Sequence, residues 1–244
     1  MTTSVATLKH LYHAPDEQVR KRVAELAAGR GRVVEVGPGS TPFEAATEFV
    51  DWLDYAGMDG RKVHKVDLNR DRLPFADKSI DFLYCRHVLE DIYNPLWLCE
   101  EISRVAKAGY IETPSPFAEY CRGMNGMLLP EGSFWRGYIH HRYFVWEADG
   151  ALCFLAKYPL VEHIDLGCDD EVVALLDAGP LHWNTHLLWE GEVKTRHLQH
   201  DVDFKIQVDY AEVIRQALDA ALKSNLAFRD RLQLDEPGHP ADPS

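Results

Sequence analysis

The sequence has no apolar run approaching the ~18 residues that a membrane-spanning helix requires, which excludes an integral membrane protein. It also has no excess of basic charge. Its 26 Lys and Arg stand against 39 Asp and Glu, a net charge of −13. A nucleic-acid binder usually carries a basic stripe that displaces counterions from phosphates. The basic triplet Arg20-Lys21-Arg22 sits beside Asp16, Glu17 and Glu25 and reads as a solvated helix face. Paired cysteines are missing too. Cys85, Cys99, Cys121, Cys153 and Cys168 are odd in number and scattered, which argues against a disulfide framework and for reduced thiols in a cytoplasm. Met1 to Lys9 lacks a basic segment followed by an apolar one, so no export signal is expected. His182 and His186 share a face, with His197, His200 and Asp201 nearby in sequence. The set matches no complete ligand motif, so no metal is expected.

What is present suffices for a packed core. Hydrophobic residues make up 46% and aromatics 11% of the 244 residues, which suits one elaborated domain. The spacing of Val19, Val23 and Leu26 predicts a helix from Asp16 to Ala28. Strands are expected at 32–36, 49–53, 63–67, 80–85 and 110–113. A short helix is expected at 42–47, with Pro42 in its first turn, and another at 96–107 with Gly109 as its C-cap. Strands alternating with helices indicate a doubly wound, mostly parallel α/β sheet. Phe144-Val145-Trp146 and Leu152 to Leu155 suggest a hairpin. A helix near 171–177, strands at 183–189 and 204–208, and a helix at 210–223 complete the chain. The organisation expected is an arm and helix (1–31), an α/β core (32–116), an aromatic-rich lid (117–150), a partly β region with the remaining sheet and C-terminal helices (151–234) and a disordered tail (235–244).

In an open parallel sheet, ligands bind beyond the carboxyl ends of the strands. Glu35 to Thr41, Asp51, Asp67, Cys85 to Glu90 and Glu112 to Pro116 occupy those ends. Gly37 and Gly39 allow close approach to the backbone, and the helix expected just beyond would offer free N–H groups. A dinucleotide site would want a third glycine where Pro42 stands. Asp51, with Asp54 as runner-up, can take both ribose hydroxyls, and Asp67 can accept from an adenine amine. Together these describe a pocket for an adenosine with a zwitterionic tail and no phosphate.

The segment Val33 to Gly39 resembles the glycine motif of class I S-adenosylmethionine-dependent methyltransferases. Asp67-Leu68, then Leu73-Pro74-Phe75, Asp77-Lys78-Ser79 and Asp81-Phe82, resemble the adenine-binding and fourth-strand motif. His87 to Asp91 with Asn94-Pro95, and Arg104-Val105 leading to Gly109 through Pro114, are similar to the type-11-like subset. The likeness covers roughly residues 30–116. It departs from the pattern at Thr41, where many members have a third glycine, and in the short segment between the first two strands. The resemblance implies a Rossmann-like methyltransferase fold and S-adenosyl-L-methionine as cofactor. Glu35, Gly37 and Gly39 would hold its methionine end, Asp51 the ribose, Asp67 the adenine. Leu68 would flank the base, with the Cys85-Arg86 backbone near the amino-acid moiety.

A methyl donor needs an acceptor lone pair held in line with it, and an alcohol acceptor must lose a proton, usually to histidine. His141 and His140 are the first candidates for that base, followed by Glu112 and His87. Arg142, Tyr143 and Trp135 are the candidate acceptor-binding residues. The expected function is O-methylation of a small molecule such as a sugar or secondary metabolite, with no nucleic-acid or membrane partner; a homodimer is compatible with the sequence. The alternatives are a nucleotide-cofactor oxidoreductase, disfavoured by Pro42 and Asp67, and a non-catalytic binding subunit, disfavoured by the acids at Glu35, Asp51 and Asp67.

Overall fold

The computed structural model describes residues 16–53, 60–124, 135–198 and 205–235. Met1 to Lys9, Asp54, His200, Asp201 and the tail beyond Asp235 lie outside the described residues.

The elements run α1 (Glu17–Ala27), β1 (Val33–Val36), β2 (Glu48–Asp51), β3 (Lys62–Lys65), β4 (Phe82–Arg86), α2 (Pro95–Val105), β5 (Ala108–Pro114), α3 (Pro116–Tyr120), β6 (Tyr143–Ala148), β7 (Ala151–Ala156), α4 (Asp169–Ala178), β8 (Asn184–Glu190), β9 (Lys194–His197) and α5 (Ile206–Leu232). The main sheet has the order β3-β2-β1-β4-β5-β8, and a second sheet the order β6-β7-β9. Strands β1 to β5 are mutually parallel, and β8 closes the edge antiparallel to β5. This is the doubly wound, mostly parallel arrangement expected.

Strand periodicity sorts the core. Val34, Val36, Leu83, Cys85 and Ile111 face α2 and the second sheet, which contributes Val145, Leu152 and Phe154. Their alternates Val33, Phe82, Tyr84 and Tyr110 face α1 and the end of α5. Burial on both faces is why these parallel strands read as nearly continuous apolar runs. Asp16 caps α1 by accepting from the N–H groups of Gln18 and Val19, and Asn94 with Pro95 starts α2. The β6–β7 hairpin turns on Asp149 and Gly150, at φ 53° and 76°, a conformation suited to a two-residue turn.

Several local expectations are corrected. Residues 42–47 form no helix; a turn at 44–45 stands there. Gly109 lies inside β5, because α2 ends at an extended Ala106. The alternation of Phe204, Ile206 and Val208 reads as a strand, but Val208 is exposed and Ile206 already opens α5. That helix continues past 223 to Leu232, because Asn225 is buried with its amide donating to the carbonyls of Leu181 and Asn184. The aromatics of the lid segment are core: Phe117, Tyr120, Tyr138, Phe144 and Trp146 pack with Val161, Leu176, Tyr210 and Ile214. All five cysteines are free. Among the described residues no helix is long and apolar enough to cross a membrane.

Gly109 reports on how closely the sheet packs. A Cβ there would lie 2.2 Å from the Leu83 carbonyl oxygen and 2.9 Å from the Trp189 ring. We expect Gly109→Ala to lower the unfolding free energy by about 1–3 kcal/mol through overpacking. Urea denaturation checks this; an unchanged midpoint would contradict the packing.

Candidate functional site

In the strand order, chain connections leave β1 and β4 toward opposite sides, so a crevice opens between their carboxyl ends. A cavity of about 200 Å³ sits there, lined by Glu35, Gly37, Pro38, Gly39, Ser40, Thr41, Arg86 and His87. A second cavity, about 190 Å³, is lined by Leu175, Leu181, His182, Leu234 and others. It contains none of the glycines or strand-end acids, and the first is the site built by the fold.

Gly37 leaves β1 at φ 72°, and a Cβ on it would stand 2.3 Å from the Val88 side chain. Only glycine fits both conditions. Its N–H donates to Val50 O at 2.9 Å, tying the loop to β2. Gly39, at φ 52°, has open space where a side chain would project. In place of a helix start, side chains order the loop. Glu35, 1% exposed, accepts the Phe43 N–H at 2.7 Å. Arg20 of α1 reaches the carbonyls of Thr41 and Pro42 and pairs with Glu44 at 2.8 Å. Arg61 donates to the carbonyls of Phe43 and Ala46 at 3.0 and 2.9 Å. Arg20 is therefore a clamp rather than a solvated charge. Burial pushes the Glu35 carboxyl up to about 7, against the pull of the Phe43 N–H and of Arg20, Arg61 and Arg86.

Across the crevice, Arg86 Nε donates to Glu112 Oε1 at 2.6 Å. The Tyr110 hydroxyl donates to Glu112 Oε2 at 2.5 Å and lies 2.7 Å from His186 Nδ1. Burial alone would raise the Glu112 carboxyl, but Arg86, His186 and His87 hold it below the ordinary range. His87 takes φ 54°, an uncommon conformation for a residue with a Cβ, and its Nε2 is 3.0 Å from Asn184 Oδ1. Burial and then Arg86 push its imidazole down to about 3. Neither Glu112 nor His87 is therefore suited to take a proton at neutral pH.

The other candidates are spread along the same sheet edge. Asp51 ends β2, buried, its Oδ1 accepting the Leu53 N–H at 2.9 Å; burial raises its carboxyl. Asp67 follows β3 and bonds its own loop, with Asn69 N at 3.1 Å and Arg70 Nε at 3.0 Å. Leu68 is partly buried against the core that contains Cys85. The Cys85 side chain thus faces away from the crevice, leaving Arg86 to line it. Arg86, with the glycines and Glu35, converges on the cavity; Asp51 and Asp67 do not line it.

His140 and His141 form a separate group. His141 is buried, and its Nδ1 donates to Glu119 Oε1 at 2.5 Å. The other Glu119 oxygen accepts from Lys157 Nζ at 2.5 Å. The Nε2 atoms of His140 and His141 each lie 3.9 Å from Asp91 Oδ1. Burial would lower His141, but the charge and hydrogen bond of Glu119 raise it; burial and then His141 lower His140. Arg142 donates to Asp91 O at 2.8 Å and stacks 3.7 Å over the Tyr93 ring. Tyr143 is half-buried, its hydroxyl donating to Tyr93 O at 3.3 Å, and Trp135 is exposed. One chain segment links this group to the cavity: Arg86 and His87 line the cavity, and Asp91 lies in the turn that follows. Sequence reasoning missed Arg20, Arg61, Glu119, Lys157 and Asp91. A buried-acid signal in Glu119, within the apolar run Phe117 to Tyr120, was the available hint.

Residues 22–111 match the family described as methyltransferase domain. Among solved structures, the YcgJ protein of Bacillus subtilis is 20% identical over 39% of this chain and 50% of its own, with a TM-score of 0.32. A SAM-dependent methyltransferase of Thermotoga maritima is 24% identical over 38% and 48%, at 0.32. One from Archaeoglobus fulgidus is 18% identical over 68% and 86%, at 0.38. The matched region spans about half the length of the first two. No curated protein matches the chain.

Glu119 carries the histidine group. Removing one partner of a buried ion pair typically costs about 3–5 kcal/mol, and Glu119→Ala is expected to lose that much unfolding free energy. Chemical denaturation measures it; a loss under about 1 kcal/mol would show that the Lys157–Glu119–His141 chain is not holding this region.

Proposed function

We infer, from the likeness of residues 22–111 to a methyltransferase domain and from the site's geometry, that the protein transfers a methyl group from S-adenosylmethionine to an oxygen of a small-molecule acceptor. The observation that carries this reading is the glycine-lined cavity at the β1/β4 crevice with the Glu35 carboxylate in its wall. Its residues fit the cofactor. The space over Gly39 is open, a bare backbone admits close approach, and a buried acid faces a ligand whose methionine end carries positive charge. The cavity is of a size to take that end, with Asp51 and Asp67 along the edge of β2 and β3 left to hold the nucleoside.

When bound, the cofactor would supply an electrophilic methyl to the acceptor oxygen and leave as S-adenosylhomocysteine, and the hydroxyl proton would leave through the histidine centre to solvent. The chain's own residues do the rest. Gly37 and Gly39 admit the ligand, and Glu35 balances its charge. Arg86 is held by Glu112, which keeps that end of the crevice rigid, and His87 stays neutral. Of the four candidate bases, His140 and His141 remain as the histidine centre that would engage an acceptor hydroxyl, with Arg142, Tyr143 and Trp135 proposed to contact the acceptor. The net charge of −13 supports a small acceptor over nucleic acid, and the free thiols support a reducing, cytoplasmic setting.

Calorimetry tests the reading. S-adenosylhomocysteine is expected to bind and NADH to give no heat; the reverse would favour an oxidoreductase. Asp67→Ala is expected to weaken that binding about tenfold, or ~1.4 kcal/mol, with the melting temperature unchanged; unaltered affinity would remove Asp67 from the site. Glu35 adds a pH dependence of known sign. Below about 7 its carboxyl is neutral and above it is ionised, so affinity for the cationic methionine end should rise several-fold from pH 6 to pH 8. Glu35→Gln should flatten that rise. A wild-type affinity independent of pH would place Glu35 away from the ligand's charge.

A further inference from the structure

We propose that Asp91, His140 and His141 form a binding site for a divalent transition-metal ion of the zinc, iron(II) or manganese class. One ligand atom from each residue lies within 4.8 Å of the others. Both imidazole Nε2 atoms stand 3.9 Å from the same Asp91 Oδ1. That is too long for a hydrogen bond. Two donors about 2.1 Å from one ion lie roughly 3–3.5 Å apart, so each imidazole needs to close on Asp91 by only about half an ångström.

The surroundings are those of a metal-ligating histidine. His141 donates through Nδ1 to Glu119, which leaves Nε2 with its lone pair toward Asp91. A carboxylate on the remote nitrogen fixes the ring and tautomer of a ligating histidine. Glu119 is itself fixed by Lys157, whose Nζ also donates to Tyr138 O at 2.8 Å. The partner ligands His140 and Asp91 are exposed, with side chains 60% and 41% accessible, so an ion can enter from solvent.

A second observation points to a cation. Glu90, the residue before Asp91, is 1% exposed, and neither of its carboxylate oxygens has a hydrogen-bond partner among the described residues. A buried carboxylate is normally paired or compensated by a metal.

Two imidazoles and one carboxylate select borderline ions over calcium or magnesium, which prefer all-oxygen sets. Three protein donors leave positions open for water or an oxygen of a small molecule. The ion site stands on this geometry alone; its use on an acceptor oxygen rests on the methyl-transfer reading.

The test uses the untagged full chain stripped of metal. Zinc is titrated by calorimetry, and cobalt(II) by its visible absorption. We expect one zinc per chain with micromolar or tighter affinity. His140→Ala and Asp91→Asn, both exposed, should keep their circular dichroism and each weaken zinc at least tenfold, whereas His163→Ala should leave it unchanged. No saturable zinc binding, or equal binding in His140→Ala, Asp91→Asn and His163→Ala, overturns the proposal. S-adenosylhomocysteine titrated into the same samples separates the two readings. Its binding without zinc binding sinks the ion site alone, and zinc binding without it sinks the methyl-transfer reading alone.

Discussion

The parallel pairing of β1 with β4 is the constraint on which the rest depends. Val36 stands opposite Cys85, so both strands end level and their loops part in opposite directions. Gly37 and Arg86 thereby come side by side, and the Val88 side chain closes on Gly37 with no room for a Cβ. The crevice is a consequence of chain topology. The sequence's task is to keep it open with glycine and to furnish it with charge.

That charge is handled differently at each buried acid. Glu112 is matched by Arg86 and the Tyr110 hydroxyl, so it stays ionised and serves as a fixed brace. Glu119 is matched by Lys157 and His141. Glu35 has one backbone N–H and only distant cations, and it sits near neutrality. Glu90 has no hydrogen-bond partner among the described residues, and burial carries it up to about 8. Acids that are fully compensated hold the structure. Glu35, short of compensation, stands in the wall of the glycine-lined cavity, and perturbed acids in a cleft commonly accompany function.

The strands and the glycine loop were legible because their signals are local: apolar runs bounded by glycine and acid at the strand ends. The loop's order was not, because it comes from Arg20 and Arg61, far away in sequence, and not from the helix that Pro42 suggested. His140 and His141 stood out as a pair in the sequence. Glu119, Lys157 and Asp91 give them meaning, and they arrive from α3, the residue just after β7 and the loop after β4. Pairing across elements leaves no trace in periodicity. The aromatic segment after Pro116 reads as core more readily than as a ligand wall, and Phe144 and Trp146 do belong to the core; density of aromatics alone does not distinguish the two. Asp67, legible as an adenine acceptor, is held by its own loop in this structure.

The crevice between β1 and β4 is the centre of the account, and a crystal structure grown with S-adenosylhomocysteine tests it most directly. The account predicts ligand density whose amino-acid end lies against Gly37 to Gly39 within reach of the Glu35 carboxylate. Density at another surface, or a crevice filled by the chain itself while the ligand binds in solution, would contradict it.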